Sequence, residues 1–61
     1  MVRVYLKIDE EGHLYRGAGA WGNGKTVEAA RKIARKHLRE SFGSSIRKVK
    51  ETVEDLEEEE V

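Results

Sequence analysis

The stretch VRVYLKI at residues 2–8 decides how this chain begins to fold, because every second side chain in it is aliphatic. Arg3, Tyr5 and Lys7 stand between those aliphatic residues. Successive side chains of a β-strand point to opposite faces, so a period of two predicts a strand with one buried face and one exposed face. A chain that opens in this way needs further elements to cover the apolar face.

A turn and a second strand are expected next. Residues 9–12 read DEEG, and Gly12 suits the positive-φ position that closes a hairpin loop of four or five residues. The second strand is then predicted from about His13 to Trp21, with Ile8 opposite His13. On this register the apolar face holds His13, Tyr15 and Trp21. The opposite face holds Arg3, Tyr5, Lys7, Leu14 and Arg16.

The glycines of this second segment predict a close approach of backbone. Gly17 and Gly19 alternate with Ala18 and Ala20, which makes a surface smooth enough for a helix to lie close against it. Trp21 is the sole tryptophan of the chain. It could stack on nucleic-acid bases beside Tyr5 and Tyr15, but burial in the core is the commoner role of a lone Trp, and we expect it there.

A helix is predicted from Val27 to about Phe42. Thr26 is a suitable N-cap and Gly43 a suitable C′ residue. One stripe of this helix is apolar and consists of Val27, Ala30, Ile33, Ala34, His37, Leu38 and Ser41 or Phe42. The other side carries a basic face at i, i+4 and i+8 spacing, formed by Arg31, Lys32, Arg35, Lys36 and Arg39.

The C-terminal segment has two readings. Ile46, Val49, Val53 and Leu56 recur at three- and four-residue spacing, which favours a short amphipathic helix. A third strand over residues 46–53 is the alternative, because three of these four residues are β-branched.

The predicted fold is therefore α+β. It is a ββα body at residues 1–43, followed by a C-terminal amphipathic helix with an acidic tail at residues 44–61. Two strands alone are only marginally stable. The sheet should be completed by self-association, most simply in a homodimer, or by the C-terminal segment.

Composition narrows the class of protein. The chain has 61 residues, no Cys and no Pro, and 39% of its residues are charged. The lack of Cys excludes disulfides and thiolate metal sites, and the charge content suits a cytoplasmic protein with a thermophile-like composition. No apolar run reaches the length that spans a membrane. We find no catalytic constellation and no metal-ligand spacing, and only one motif that is typical of cofactor binding. A non-enzymatic module is therefore expected.

That one motif is GAWGNGKT at residues 19–26, which satisfies the phosphate-binding pattern G-x-x-x-x-G-K-[ST]. In a nucleotide-binding protein, backbone N–H groups of such a loop hold phosphate oxygens at the start of a helix. A chain of this length has no room for the parallel sheet that supports the loop, and no metal-binding Asp at a strand end follows Thr26. We therefore expect no useful affinity for ATP or GTP.

Charge is divided unevenly along the chain. Residues 1–50 contain all 12 Lys and Arg residues with five of the 12 acidic residues, a formal charge of +7, and residues 51–61 carry the other seven acids, a formal −7. A basic body with an acidic end is typical of a polyanion-binding protein whose tail solubilises it or competes for its basic surface. A solvated surface followed by a frayed acidic terminus is the alternative interpretation.

A first family resemblance concerns residues 24–30, GKTVEAA, which follow the predicted hairpin and open the predicted helix. This segment resembles the G-D-T-x-E-E-A stretch of HicB-like antitoxins and matches it at Thr26, Glu28 and Ala30. The likeness covers residues 2–42. It implies a domain that packs against an RNA-cleaving toxin, which would make the partner a protein.

A second resemblance is to the C-terminal half of a double-stranded-RNA-binding domain, in which two strands and a G-x-G loop lead into a basic helix. The same order is followed here by Val2–Ile8, Leu14–Trp21, Gly22-Asn23-Gly24 and the helix with Ala29, Ala30 and Ala34. This resemblance implies that the chain has the shape of that half-domain.

The leading functional prediction is nucleic-acid binding through phosphate contacts, with little reading of base sequence. The alternatives are a HicB-like protein-interaction module and a homodimeric structural protein. The predicted nucleic-acid-binding residues are Lys25 at the helix start and Arg31, Lys32, Arg35, Lys36 and Arg39 on the basic face.

Overall fold

A computed structural model describes residues 1–56 of the chain and shows an α+β fold. Strand β1 spans Val2–Ile8, strand β2 spans Gly19–Gly24, helix α1 spans Val27–Phe42 and strand β3 spans Val49–Asp55. The three strands form one antiparallel sheet in the order β2-β1-β3. The predicted β-hairpin followed by a long helix is confirmed.

Strand β1 forms the centre of the core as its alternation predicts. Val4, Leu6 and Ile8 are almost completely buried, and they pack under one side of α1. The helix contributes two alanines and a leucine to this core. Small helix residues bring α1 close to the sheet, so the core is thin. Its buried members are Val4, Leu6, Ile8, Ala20, Ala30, Ala34 and Leu38.

The prediction for the second strand is wrong in position and register. Strand β2 begins at Gly19, and Leu6 lies opposite Ala20 where the predicted loop would place it opposite Tyr15. Residues 9–18 form a long loop of successive turns, in which backbone bonds join His13 to Glu10 and Ala18 to Tyr15. These local bonds satisfy part of the loop backbone, and Gly17 and Ala18 exchange hydrogen bonds with Ile8 at the end of β1. Gly12 does take the predicted positive φ, at 82°.

Close approach between helix and sheet occurs at later glycines than predicted. A Cβ atom on Gly22 would lie 2.6 Å from the backbone nitrogen of Ala34 and 2.7 Å from the carbonyl oxygen of Ala30. Gly24 is equally confined, at 2.7 Å from the nitrogen of Ala30. The glycines that make a poor strand by composition are therefore the ones that let α1 lie against β2.

Helix α1 begins and ends where the sequence predicts. The Thr26 side chain accepts a hydrogen bond from the backbone N–H of Ala29, as an N-cap does. At the other end Gly43 has a φ of 85°, and its N–H donates to the carbonyl of Arg39. The described residues contain no helix long and apolar enough to cross a membrane.

The prediction of a C-terminal amphipathic helix is wrong for most of residues 46–56, because residues 49–55 form strand β3. Val49, Glu51 and Val53 lie opposite Ile8, Leu6 and Val4. The chain thus supplies its own third strand, which was the alternative reading. Most of the acidic tail, residues 57–61, lies outside the described residues.

The sheet has two unlike faces. Residues directly opposite one another on neighbouring strands share a face, so the face away from α1 carries the residues between the core positions. We call it the open sheet face. Its members are Arg3, Tyr5 and Lys7 of β1, Gly19, Trp21 and Asn23 of β2, and Lys50, Thr52 and Glu54 of β3.

Candidate nucleic-acid interface

The predicted basic residues of α1 do share one surface. A depression along the outer side of the helix is lined by Ile33, Glu28 and five cations. Helical periodicity explains this, since residues three and four apart lie side by side on the surface. The cations are Arg31, Lys32, Arg35, Lys36 and Arg39.

Arg31 differs from the other four because it is bound within the fold. Its Nε donates to Oε1 of Glu51 at 2.6 Å and its Nη2 donates to Oε2 at 3.0 Å, so the guanidinium grips the β3 carboxylate with two bonds. The hydrogen bond from Arg31 lowers the pKa of Glu51 below its usual value, and the hydrogen bond to Glu51 raises that of Arg31. Arg31 therefore joins α1 to β3 through a bidentate ion pair, in which much of its charge is neutralised.

The remaining helix cations are Lys32, Arg35, Lys36 and Arg39, and we call them the helix cation row. All four are exposed. Within residues 1–56 the ion pairs are Arg3 with Glu54, Arg16 with Asp9 and Arg31 with Glu51, so none involves this row. Four adjacent cations that form no ion pair in the described part of the chain make a positive strip, with Glu28 as the one acid that lines the same depression.

Lys25 is not part of this strip. It lies between the end of β2 and the N-cap of α1, exposed to solvent, and it does not line the outer depression of the helix. Lys25 and the helix cation row therefore occupy different places, although both belong to the predicted site.

The Arg31–Glu51 pair makes stability depend on pH in a predictable direction. A carboxylate whose pKa is lowered by folding stabilises the folded state at every pH above its pKa in the unfolded chain. This stabilisation is lost as the pH falls through its pKa in the folded protein. We expect Glu51→Gln to lower the urea midpoint slightly at pH 7, and the deficit to shrink well below the ordinary Glu pKa of 4.5. The effect is small because both side chains are about one-third exposed, at 35% and 32%. A deficit of equal size at pH 7 and at pH 3 would contradict this role.

Six of the eight residues that match the phosphate-loop pattern form a strand, not a loop. Residues 19–24 are β2, and each of them has an opposite residue on β1, from Gly19 with Lys7 to Gly24 with Val2. An extended strand cannot curl its N–H groups around a phosphate as the glycine-rich loop does. Thr26 caps α1. This geometry agrees with the expectation that Mg-ATP does not bind, which stays a prediction.

Histidine and acidic side chains do not form a metal-binding group of three or more in the part of the chain that the structure describes. His37, predicted to be packed on the apolar stripe, is instead exposed, with Nδ1 at 3.0 Å from the carbonyl oxygen of Trp21. In the tautomer that carries the proton on Nδ1, it donates to that carbonyl and joins α1 to β2. His13 accepts a bond on Nδ1 from the N–H of Tyr15 in the loop.

Trp21 lies on the open sheet face and not in the core, where the sequence predicts it. The shift in the register of β2 moves it from the core face to the open sheet face, opposite Tyr5, where it is 50% exposed. The expectation that Trp21 is buried in the core is therefore wrong, and its exposed position beside Tyr5 leaves stacking on bases as the alternative role. Cross-strand position could reveal it only once the register was known.

Comparison with protein-family models, with curated proteins and with solved structures finds no match to this chain.

Proposed function

We propose that this protein is a non-enzymatic nucleic-acid-binding module that contacts phosphates through the outer face of α1. The observation that carries the proposal is the helix cation row, four exposed cations on one strip without an ion pair among residues 1–56. Neutralising phosphates releases condensed counterions, which supplies most of the affinity of such a surface.

The distribution of acids supports the same proposal. Two of the acids that follow residue 50 are held in the sheet, where Glu51 pairs with Arg31 and Glu54 lies 3.7 Å from Arg3. Neither acid forms an ion pair with the helix cation row, although Arg35 is near enough to Glu51 to lower the pKa of that carboxyl further. Helical periodicity alone places these cations on the solvated side of α1, and their continuous positive charge is the arrangement that a phosphate backbone favours.

The test is a titration of labelled duplex and single-stranded oligonucleotides at several salt concentrations. Lys36→Ala and Arg39→Ala should each weaken binding for all sequences alike and reduce the slope of log K against log salt by about one. Arg31→Ala is the matched comparison on the same helix. It should change the slope much less, because the slope reports the number of phosphate contacts and the Arg31 guanidinium is occupied by Glu51.

Failure of the wild-type protein to bind any nucleic acid at about 50 mM salt, where phosphate contacts are strong, would overturn the proposal. The protein-interaction reading with a toxin-like partner would then take its place. An equal slope change for Arg31→Ala and Arg39→Ala would instead show that the ion pair with Glu51 does not hold in solution.

A further inference from the structure

The open sheet face carries an aromatic pair at its centre. Tyr5 on the middle strand lies directly opposite Trp21 on β2, and Trp21 is 50% exposed. A Cβ atom on Gly19 would lie 2.9 Å from the Tyr5 hydroxyl and 3.0 Å from Cζ, so the ring extends across the bare backbone of Gly19. The absence of a side chain there gives the Tyr5 ring room to lie over the sheet.

Arg3 orients the indole ring. Its guanidinium carbon lies 4.9 Å from the centroid of the Trp21 ring, a cation–π distance. The same group is held by Asn23, whose Oδ1 accepts a bond from Nε at 3.1 Å, and it lies 3.7 Å from Glu54. Three contacts from two other strands fix the position of Arg3. Trp21 is therefore prearranged, and half of its surface still faces solvent.

Two lysines on the same face repel each other. Lys7 and Lys50 are direct cross-strand partners, and the residue on the other side of Lys7 is Gly19. Like charges directly opposite each other destabilise a sheet. No ion pair among residues 1–56 involves either lysine. An anion bound between them would relieve this repulsion.

A surface that binds unpaired nucleotides has two components, which are aromatic rings and cations without an ion pair. The open sheet face carries both. Bases of a single strand stack on aromatic side chains while cations follow the phosphates. Duplex bases are already stacked on one another and cannot reach such rings. We infer that the open sheet face binds single-stranded nucleic acid, with bases on Tyr5 and Trp21 and a phosphate between Lys7 and Lys50.

This inference rests on the proposed function, because it names the class of nucleic acid that the module prefers. It adds a second surface, on the side of the sheet opposite to α1. A second copy of the chain is the other occupant to consider. Pairing two copies of this face would bury Arg3, Lys7 and Lys50 of each copy, whereas charged residues are depleted from the centres of protein interfaces.

Trp21 provides the readout, because it is the only tryptophan in the chain. Its emission should be quenched, to saturation, by an oligothymidylate of about 12 nucleotides, a length within the usual range of single-strand sites. A duplex of the same length should leave the emission nearly unchanged. This measurement uses the wild-type protein and does not depend on a variant that folds.

Substitutions then locate the site. Tyr5→Leu and Trp21→Leu should each weaken single-strand binding about 10-fold or more, measured with a labelled oligonucleotide, and leave duplex binding almost unchanged. Trp21→Phe should recover most of the affinity because it keeps a ring. Leu14→Ala, which shortens an apolar side chain that is 86% exposed in the 9–18 loop, is the matched control and should have no effect. Circular dichroism checks that each variant folds.

The possible failures are distinguishable. If single strands bind but Trp21 emission stays constant and both leucine variants bind normally, the inference is overturned while the proposed function stands. If no nucleic acid binds at all, both are overturned. If sedimentation shows a dimer and Trp21 emission shifts to the blue as protein concentration rises, a second copy covers this face and the inference is again overturned.

Discussion

Gly22→Ala should destabilise the protein by about 3 kcal/mol or more, the upper end of what overpacking a core costs. The added methyl group would meet backbone atoms of Ala30 and Ala34 at 2.7 and 2.6 Å and the Cβ of Ile33 at 2.8 Å. Backbone cannot rotate away as a side chain does, so α1 must lift from the sheet and open the core beneath it. A domain of this size has roughly 3 to 9 kcal/mol of stability in total. Urea unfolding followed by circular dichroism gives the loss.

Gly17→Ala is the matched control for that substitution. Gly17 has a φ of 95°, but a Cβ atom there would meet nothing within 4 Å. Its substitution should cost only the backbone strain, about 1 kcal/mol. Equal losses for the two variants would contradict the close approach of α1 to β2, because strain at Gly17 and collision at Gly22 have different causes.

A chain that ends at Lys48 should not fold cooperatively. Such a chain lacks β3, which pairs with β1 over its whole length from Val2 to Ile8. The remaining hairpin of β1 and β2 would have two strands, which is marginal even with a helix packed on it. We expect a circular-dichroism melt without a sigmoidal transition.

A chain that ends at Leu56 keeps all of β3 and serves as the control. It should melt cooperatively near the temperature of the full chain. A cooperative transition in the chain that ends at Lys48 would contradict the place of β3 in the sheet. The electrostatic role of the acidic tail is accordingly better tested by changing Glu57–Glu60 to Gln than by truncation after Lys50, which would remove most of β3.

Local signals in the sequence predicted β1 and α1 closely. The alternation of residues 2–8 has no competing interpretation, and Thr26 and Gly43 mark the two ends of α1 by cap chemistry that needs no tertiary contact. The basic face follows from helical periodicity alone. Helical periodicity does not predict that Arg31 is paired while the other four cations are not, because its partner Glu51 is distant along the chain.

Strands β2 and β3 depended on tertiary contacts that composition does not reveal. Gly22 and Gly24 lower strand propensity, but close packing against α1 selects them. Leu14 and Tyr15 suggested a strand but lie in a loop. Val49 and Val53 are four residues apart, a spacing that places both on one face of a helix and equally on one face of a strand.

The first reason to expect a homodimer is that two strands leave a sheet incomplete. That reason no longer holds, because β3 completes a three-stranded sheet within one chain. The homodimer stays a prediction, since Val53 is 48% exposed on β3 and both edge strands retain free backbone groups. Sedimentation of the wild-type protein and of Leu56→Asp is the appropriate comparison. A folded monomer at micromolar concentration with unchanged stability in the variant would contradict it.

The most direct test of nucleic-acid binding is an amide correlation spectrum of the isotope-labelled full chain, recorded while an oligonucleotide is added at about 50 mM salt. We expect saturable shifts along α1 from Lys32 to Arg39 with both duplex and single strand, and further shifts at Tyr5, Trp21 and Lys50 with the single strand alone. A spectrum in which no amide moves with either oligonucleotide would show that the protein does not bind nucleic acid.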